Sequence, residues 1–377
     1  VMGVSSTLTS KISSSGSSSS SVKENRTASA AAESLKYWKS ALGEAVELPE
    51  TLAGKLSPLT SSQLQHYSRL MQEGKVLASN GAGASLCKDA GLVCASGSES
   101  RLVSPECGGG HQSYARVEVD EATFNRMAED PELNDFFRES AILVKKGSTL
   151  RLPNLRVQKL EPSRKFLPRQ LARPFELNNL EKTAQAQEAL VAAFPMGPRS
   201  SPLMVHVMDC VSPRCGAPPM LGERKACVSS LEELADFAAA TLFGKEEEQR
   251  GHVASVPPQD ESGSLEMARL LLDAQLIARP GTPILTCHDN MYPFQMYYCH
   301  AIRNTKLYKL TFQLRDSGKV VEKVATCHMD TSQWPARHPA FAVLHSHPGD
   351  GEACHYIVKD DILFYLPHLT TTTTATP

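Results

Sequence analysis

Apolar positions in the last two thirds of this chain fall into short runs rich in β-branched and aromatic residues. The runs at 284–287, 294–300, 307–314, 320–327, 341–344 and 362–366 are separated by Gly, Pro, Asn and Asp. Runs of that length with such punctuation predict strands. Asp316-Ser317-Gly318 falls between the third and fourth runs and predicts a hairpin turn. Further upstream, Ile142-Leu143-Val144, the turn Lys145-Lys146-Gly147 and Leu150-Arg151-Leu152 read as another hairpin. Helical spacing is clearest after Ser230, which forms a capping box with Glu233. Leu231, Leu234, Phe237 and Thr241 then share one face, and Gly244 ends the helix. A second helix is predicted over 264–277, ahead of Pro280-Gly281. The fold class that follows is α+β: a mainly antiparallel β-sheet domain at 136–366 with two or more packed helices.

The N-terminal third has a different texture. Residues 1–33 are Ser-rich and bury too little surface to offset their chain entropy, so they are expected to be disordered. Residues 34–135 read as a variable region and linker, with helical periodicity in pieces over 34–75 and a Gly-, Ser- and Cys-rich stretch over 78–118. The tail, 367–377, is expected to be disordered.

The net charge of −2 over 377 residues gives no reason to expect a nucleic-acid partner. No apolar run approaches the roughly 18–20 residues that span a bilayer. Ten cysteines without a C-x-x-C spacing point to disulfides and an oxidising compartment rather than to a zinc finger. No signal peptide is read at Val1-Met2-Gly3, which is poor evidence against secretion.

Four of the cysteines are each followed by histidine: Cys287-His288, Cys299-His300, Cys327-His328 and Cys354-His355. Neighbours on a strand point to opposite faces, so each pair sends sulfur one way and imidazole the other. If several such strands pair, the four histidines converge on one face and the cysteines on the other. Imidazole-rich sites suit zinc, copper, iron or nickel, and copper heads the affinity order. The bland alternative is four strand-end histidines that only form hydrogen bonds. Tyr292, Tyr298 and Trp334 lie near the pairs in sequence, either as core packing or as the wall of a peptide pocket. Asp330 either orients a ligand imidazole or caps the turn that follows it.

These pairs and their spacings of 10, 26 and 25 residues resemble the signature of the BURP domain, a family of plant secreted proteins. Tyr292-Pro293-Phe294 with Tyr297-Tyr298-Cys299-His300 resembles the family's segment between its first two pairs. Cys327-His328-Met329-Asp330-Thr331-Ser332-Gln333-Trp334 resembles the third, and His338-Pro339-Ala340-Phe341 with Pro348-Gly349 the run to the fourth. Phe136-Phe137, Phe166-Leu167-Pro168 and the cysteines 210 and 227 fit as well, so the resemblance covers about 136–366. The resemblance implies His288, His300, His328 and His355 as metal ligands, with copper as the metal. It implies a disulfide between Cys210 and Cys227, plus bonds among Cys287, Cys299, Cys327 and Cys354 whose connectivity stays open. His345-Ser346-His347 departs from the family pattern; both rings are either extra ligands or exposed side chains.

Two functions from different classes follow from the resemblance. One is a copper-dependent peptide cyclase that crosslinks Tyr or Trp side chains in a peptide substrate. The other is a non-catalytic extracellular or cell-wall protein linked to stress response or development, with a cell-wall component as partner. Either would be secreted to the apoplast or wall, or vacuolar.

Overall fold

The computed structural model describes residues 29–72, 82–94, 121–129, 136–152, 164–178, 180–194, 202–244, 253–256, 266–358 and 360–368. Its strands are β1 (Phe136–Phe137), β2 (Thr149–Leu152), β3 (Glu223–Val228), β4 (Ala254–Ser255), β5 (Glu266–Leu270), β6 (Gln275–Leu276), β7 (Ile284–Asn290), β8 (Met296–Ile302), β9 (Thr305–Leu314), β10 (Val320–His328), β11 (Ala353–Tyr356) and β12 (Ile362–Tyr365). They form two antiparallel sheets. The first runs β3-β8-β7-β12-β4; the second runs β1-β11-β10-β9-β5-β2, with β6 also on β9. The helices are α1 (Ala30–Leu42), α2 (Glu50–Ala53), α3 (Ser61–Gln72), α4 (Ala82–Asp89), α5 (Glu121–Glu129), α6 (Arg169–Ala172), α7 (Leu180–Ala193), α8 (Pro202–His206), α9 (Ser212–Gly216), α10 (Leu231–Leu242) and α11 (Pro339–Leu344).

The central strands of the first sheet are buried on both faces, which is why they read as continuous apolar runs rather than alternating ones. One face lies under α1 and α10. Ser230 and Glu233 make both bonds of the capping box, and Leu231, Leu234, Ala235, Ala238 and Leu242 then pack with Leu285, Tyr297 and the cysteines of β7 and β8. Each buried leucine among them contributes about 1.5–3 kcal/mol. The other face meets a helical layer in which Phe175 and Phe194 pack on Phe294, with Tyr292 and Tyr298 in the same core. The second sheet buries Phe312, Leu310, Leu314, Val321 and Ala325 in a core of its own. A two-residue turn, Arg303-Asn304, carries the chain from β8 in the first sheet to β9 in the second.

Several expectations need correction. The segment 264–277 is not a helix. It forms β5 and β6, with Ala268 and Leu270 fully buried and Met267 and Arg269 exposed in alternation with them, a period of two. The run at 341–344 is not a strand but the end of α11, started by the His338 side chain as N-cap and by Pro339 in the first turn. The hairpin at 142–152 does not form, because β2 pairs with β5 and Ile142 follows a short 3-10 turn. α1 begins at Ala30, inside the segment expected to be disordered, while residues 1–28 lie outside the described residues. Much of 34–94 is helical and packed on the sheets: Trp38 of α1 sits 5.7 Å from Phe364, and its indole donates to the Val46 carbonyl. Pro367 and His368 bond back to the sheet region, and 369–377 lie outside the described residues.

Candidate metal centre

On β7 and β8, Cys287 and Cys299 face each other in register and form a disulfide; on β10 and β11, Cys327 and Cys354 do the same. The first cystine points into the core beneath α10 and the second into the core of the second sheet. Each following histidine points the opposite way, into the space between the sheets. The ring centroids of His288 and His300 are 5.3 Å apart and those of His328 and His355 are 5.7 Å apart. Across the gap, His288 lies 6.2 Å from His355 and His300 lies 6.0 Å from His328. The four imidazoles thus form one cluster, two from each sheet.

Two of the rings have their tautomer fixed by their neighbours, and a third, His288, has it fixed when its carboxyl partner is ionised. Nδ1 of His355 faces the Tyr356 carbonyl at 3.1 Å; a carbonyl only accepts, so this nitrogen carries the proton. Thr305 spends its hydroxyl proton on the Ile302 carbonyl, so it accepts from Nδ1–H of His328 at 3.2 Å. His288 directs Nδ1 to the Asp361 carboxyl at 2.8 Å. With Nδ1 so protonated, Nε2 is left with its lone pair, the arrangement found where imidazole ligates a metal and a second partner holds the other nitrogen. Nε2 of His288 and Nε2 of His300 are 3.2 Å apart. Two nitrogens on one tetrahedral metal at about 2.0 Å would stand about 3.3 Å apart.

Burial disfavours the charged form of His288, His328 and His355. His288, His300 and His328 are 1%, 1% and 3% exposed, and His355 is half-buried. Burial pushes His288 and His328 well below the usual imidazole range, and neighbouring histidines push the same way. Burial and nearby His288 bring His355 down to about 4. Burial also pushes the Asp361 carboxyl up to about 7. Burial would raise Glu223 too, but His300, the Met220 backbone amide and the Tyr298 hydroxyl outweigh it and hold that carboxyl below its usual value. Among the described residues, no set of three or more His, Cys, Asp or Glu side chains has its donor atoms gathered around one point as a bound metal would have them. The donor set therefore fits a nitrogen-preferring metal in type, charge and pairwise spacing, and the cross-sheet rings would still have to close in.

The remaining candidates separate. Tyr298 is buried with its ring 5.3 Å from His300, and Trp334 is 5.4 Å from His328. Tyr292 is core packing against Phe294. Asp330 is exposed and caps its turn by accepting from the Ser332 amide, so it orients no imidazole. His345 and His347 are exposed on the turn after α11 rather than alternating on a strand, and His347 faces Asp350. Cys227 bonds to Cys215, not to Cys210. A π-helical turn, Val207–Val211, lies between α8 and α9; Cys215 beyond it comes within 5.6 Å (Cα–Cα) of Cys227, and Cys210 is in a different disulfide. Asp361, Glu223, Thr305 and His338, which stacks on Trp334, are the site residues that sequence reasoning missed. The pair Asp360-Asp361, directly before an apolar strand, was the one available signal for the first.

A two-sheet α+β domain with paired cystines behind a shared histidine cluster is the class that this geometry defines. The BURP domain profile matches residues 135–366, and the chain belongs to that family. Its relatives are plant proteins. BURP domain-containing protein 16 of Oryza sativa subsp. japonica is 28% identical over 349 residues, 90% of each chain. Polygalacturonase 1 beta-like protein 3 of Arabidopsis thaliana is 30% identical over 259 residues, 66% of this chain but 38% of that protein. The polygalacturonase non-catalytic subunit AroGP3 of Solanum lycopersicum is 30% identical over 230 residues, 60% of this chain and 33% of its own length.

Proposed function

We propose that the four histidines hold one copper ion between the sheets, and that the domain is a secreted, wall-associated protein that acts without catalysing a reaction of its own. The observation that carries this reading is the tautomer of His328 and His355, each fixed with an Nε2 lone pair and its Nδ1 held elsewhere, together with His288, whose Nδ1 is held by the Asp361 carboxyl. Neutral imidazole nitrogens favour copper over the other common divalent metals. When bound, the ion would supply a cross-sheet tie of four nitrogen ligands, formed by the residues that the disulfides hold in place from behind. Four histidine ligands would leave a four-coordinate ion no open position, as in structural rather than catalytic metal sites.

Disulfides at Cys87–Cys94, Cys215–Cys227, Cys287–Cys299 and Cys327–Cys354 support secretion, and no helix among the described residues is long and apolar enough to cross a membrane. The printed name of AroGP3 supports a non-catalytic role beside a wall enzyme, and that partner class is part of the proposal. The competing reading, oxidative crosslinking of Tyr or Trp in a peptide, draws on the cavity beside Trp334, which would bring an aromatic substrate near His328.

Metal analysis of the purified protein and of the four single His→Ala variants tests the centre. About one copper per chain is expected in the parent, with loss in the variants; full retention in all four would place the metal elsewhere. Copper-loaded protein incubated with Tyr- and Trp-containing peptides under oxygen is expected to leave their masses unchanged. A loss of two hydrogens would overturn the non-catalytic part and establish the cyclase.

A further inference from the structure

The Arg303-Asn304 turn that crosses between the sheets divides two cavities. The larger, about 860 Å³, has aliphatic walls from Leu276, Ala278, Ile302 and Met329. The smaller, about 270 Å³, is bounded by Ser332, Gln333 and Trp334. Gly222, Glu223, Ile302, Arg303 and Asn304 line both, so the two are lobes of one cleft. The turn itself is fixed: Arg303 donates its backbone amide to Gly222, and the Asn304 carbonyl accepts from the Met329 amide. The Arg303 stem lies along Gly222, where a Cβ would stand 3.4 Å from its Cδ.

The charge of this cleft is unevenly spent. Arg224 is committed to the Ala240 carbonyl and Lys306 to Glu139, both at 2.8 Å. Glu223 is turned inward to Tyr298 and the Met220 amide. Asp330, on the rim of the small lobe, accepts from the Ser332 amide. The guanidinium groups of Arg279 and Arg303 have no partner among the described residues. Two unpaired guanidinium groups along a cleft with aliphatic walls ask for an elongated ligand with repeated anionic acceptor groups.

We infer that this cleft binds a carboxylated oligosaccharide, a chain of uronic acids. Arginine matches carboxylates in a two-pronged geometry. The aliphatic walls suit the C–H faces of sugar rings. β8 and β9 are each paired on both sides, but β3, which carries Glu223 and Arg224 into the cleft, ends its sheet, so strand addition by an acidic peptide is the competing occupant that the test separates. The inference goes beyond the copper centre and does not require it.

Fluorescence anisotropy with a labelled oligogalacturonate and the full-length protein tests it. Binding is expected with and without chelator, so failure of the metal proposal leaves this result intact. Arg279→Gln/Arg303→Gln, on partly or fully exposed side chains, is expected to keep the parent's melting temperature and weaken binding about tenfold or more. The methyl-esterified oligosaccharide is expected to bind as weakly as the variant does. Unchanged affinity in the double variant, equal affinity for the ester, or equal affinity for a poly-glutamate peptide would each overturn the inference, the last by showing a general polyanion or acidic-peptide site.

Discussion

The same dipeptide is used twice in each sheet, yet the two resulting pairs are supported differently. In the first sheet, β7 and β8 follow each other closely, their cystine closes a separation of 12 residues, and a helix covers it. Their histidines lean on carboxyl groups, Asp361 under His288 and Glu223 3.6 Å from Nδ1 of His300. In the second sheet, the cystine spans 27 residues, and the histidines lean on neutral groups, the Thr305 hydroxyl and the Tyr356 carbonyl. In the proposed centre the first pair would be the stronger nitrogen donor wherever its carboxyl partners are ionised, since a carboxylate raises the basicity of the imidazole. The second is built for chain closure, since constraint of the unfolded state grows with loop length.

Removing the disulfides probes that contrast most strongly. Loop-closure entropy assigns about 3.5 kcal/mol to the 27-residue separation and about 3 kcal/mol to the 12-residue one. Cys327→Ala/Cys354→Ala should therefore destabilise the protein slightly more than Cys287→Ala/Cys299→Ala in denaturant melts. A clear reversal would show that the helix-covered pair carries the scaffold. Asp361→Asn should weaken copper affinity about 10–100-fold, as loss of an outer partner does, whereas Thr305→Val should cost less than about tenfold by the same reasoning. Competition titrations against a chelator would measure both, and equal losses would erase the distinction between the pairs.

A smaller effect concerns Glu139, which accepts from Lys306 at 2.8 Å and from the Tyr308 hydroxyl at 2.5 Å, tying the second sheet to the turn after β1. Burial pushes its carboxyl up, but these two donors outweigh it and hold it below the usual value. Its contribution is thus present above the ordinary carboxylate range and fades as pH falls through its lowered value. Glu139→Gln should cost about 1 kcal/mol at neutral pH and less in acid, read by urea melts at both. A loss that persists in acid would assign the effect to packing.

The capped helix after Ser230 and the hairpin at Asp316–Gly318 were legible because each carries its own local chemistry, a reciprocal cap in one and a left-handed glycine in the other. The histidine cluster was legible because side chains alternate along a strand. What alternation could not show is that the four pairs divide between two sheets, which is a property of strand pairing over long separations. The run Ala340-Phe341-Ala342-Val343-Leu344 is too short for periodicity to separate helix from buried strand, and its Pro339 start was the better guide. The pairing of Cys227 was hidden for a related reason: a π turn changes which residues of a helix face a strand, and nothing in Val207–Val211 marks it.

Copper titration followed by electron paramagnetic resonance addresses the cross-sheet centre most directly, comparing the parent with His288→Ala/His300→Ala and His328→Ala/His355→Ala. The expected result is one copper per parent chain with nitrogen hyperfine structure, and loss of that signal in both double variants. If either sheet's histidines keep the ion after the other pair is removed, or if the parent takes one ion per sheet, the two pairs do not share a centre.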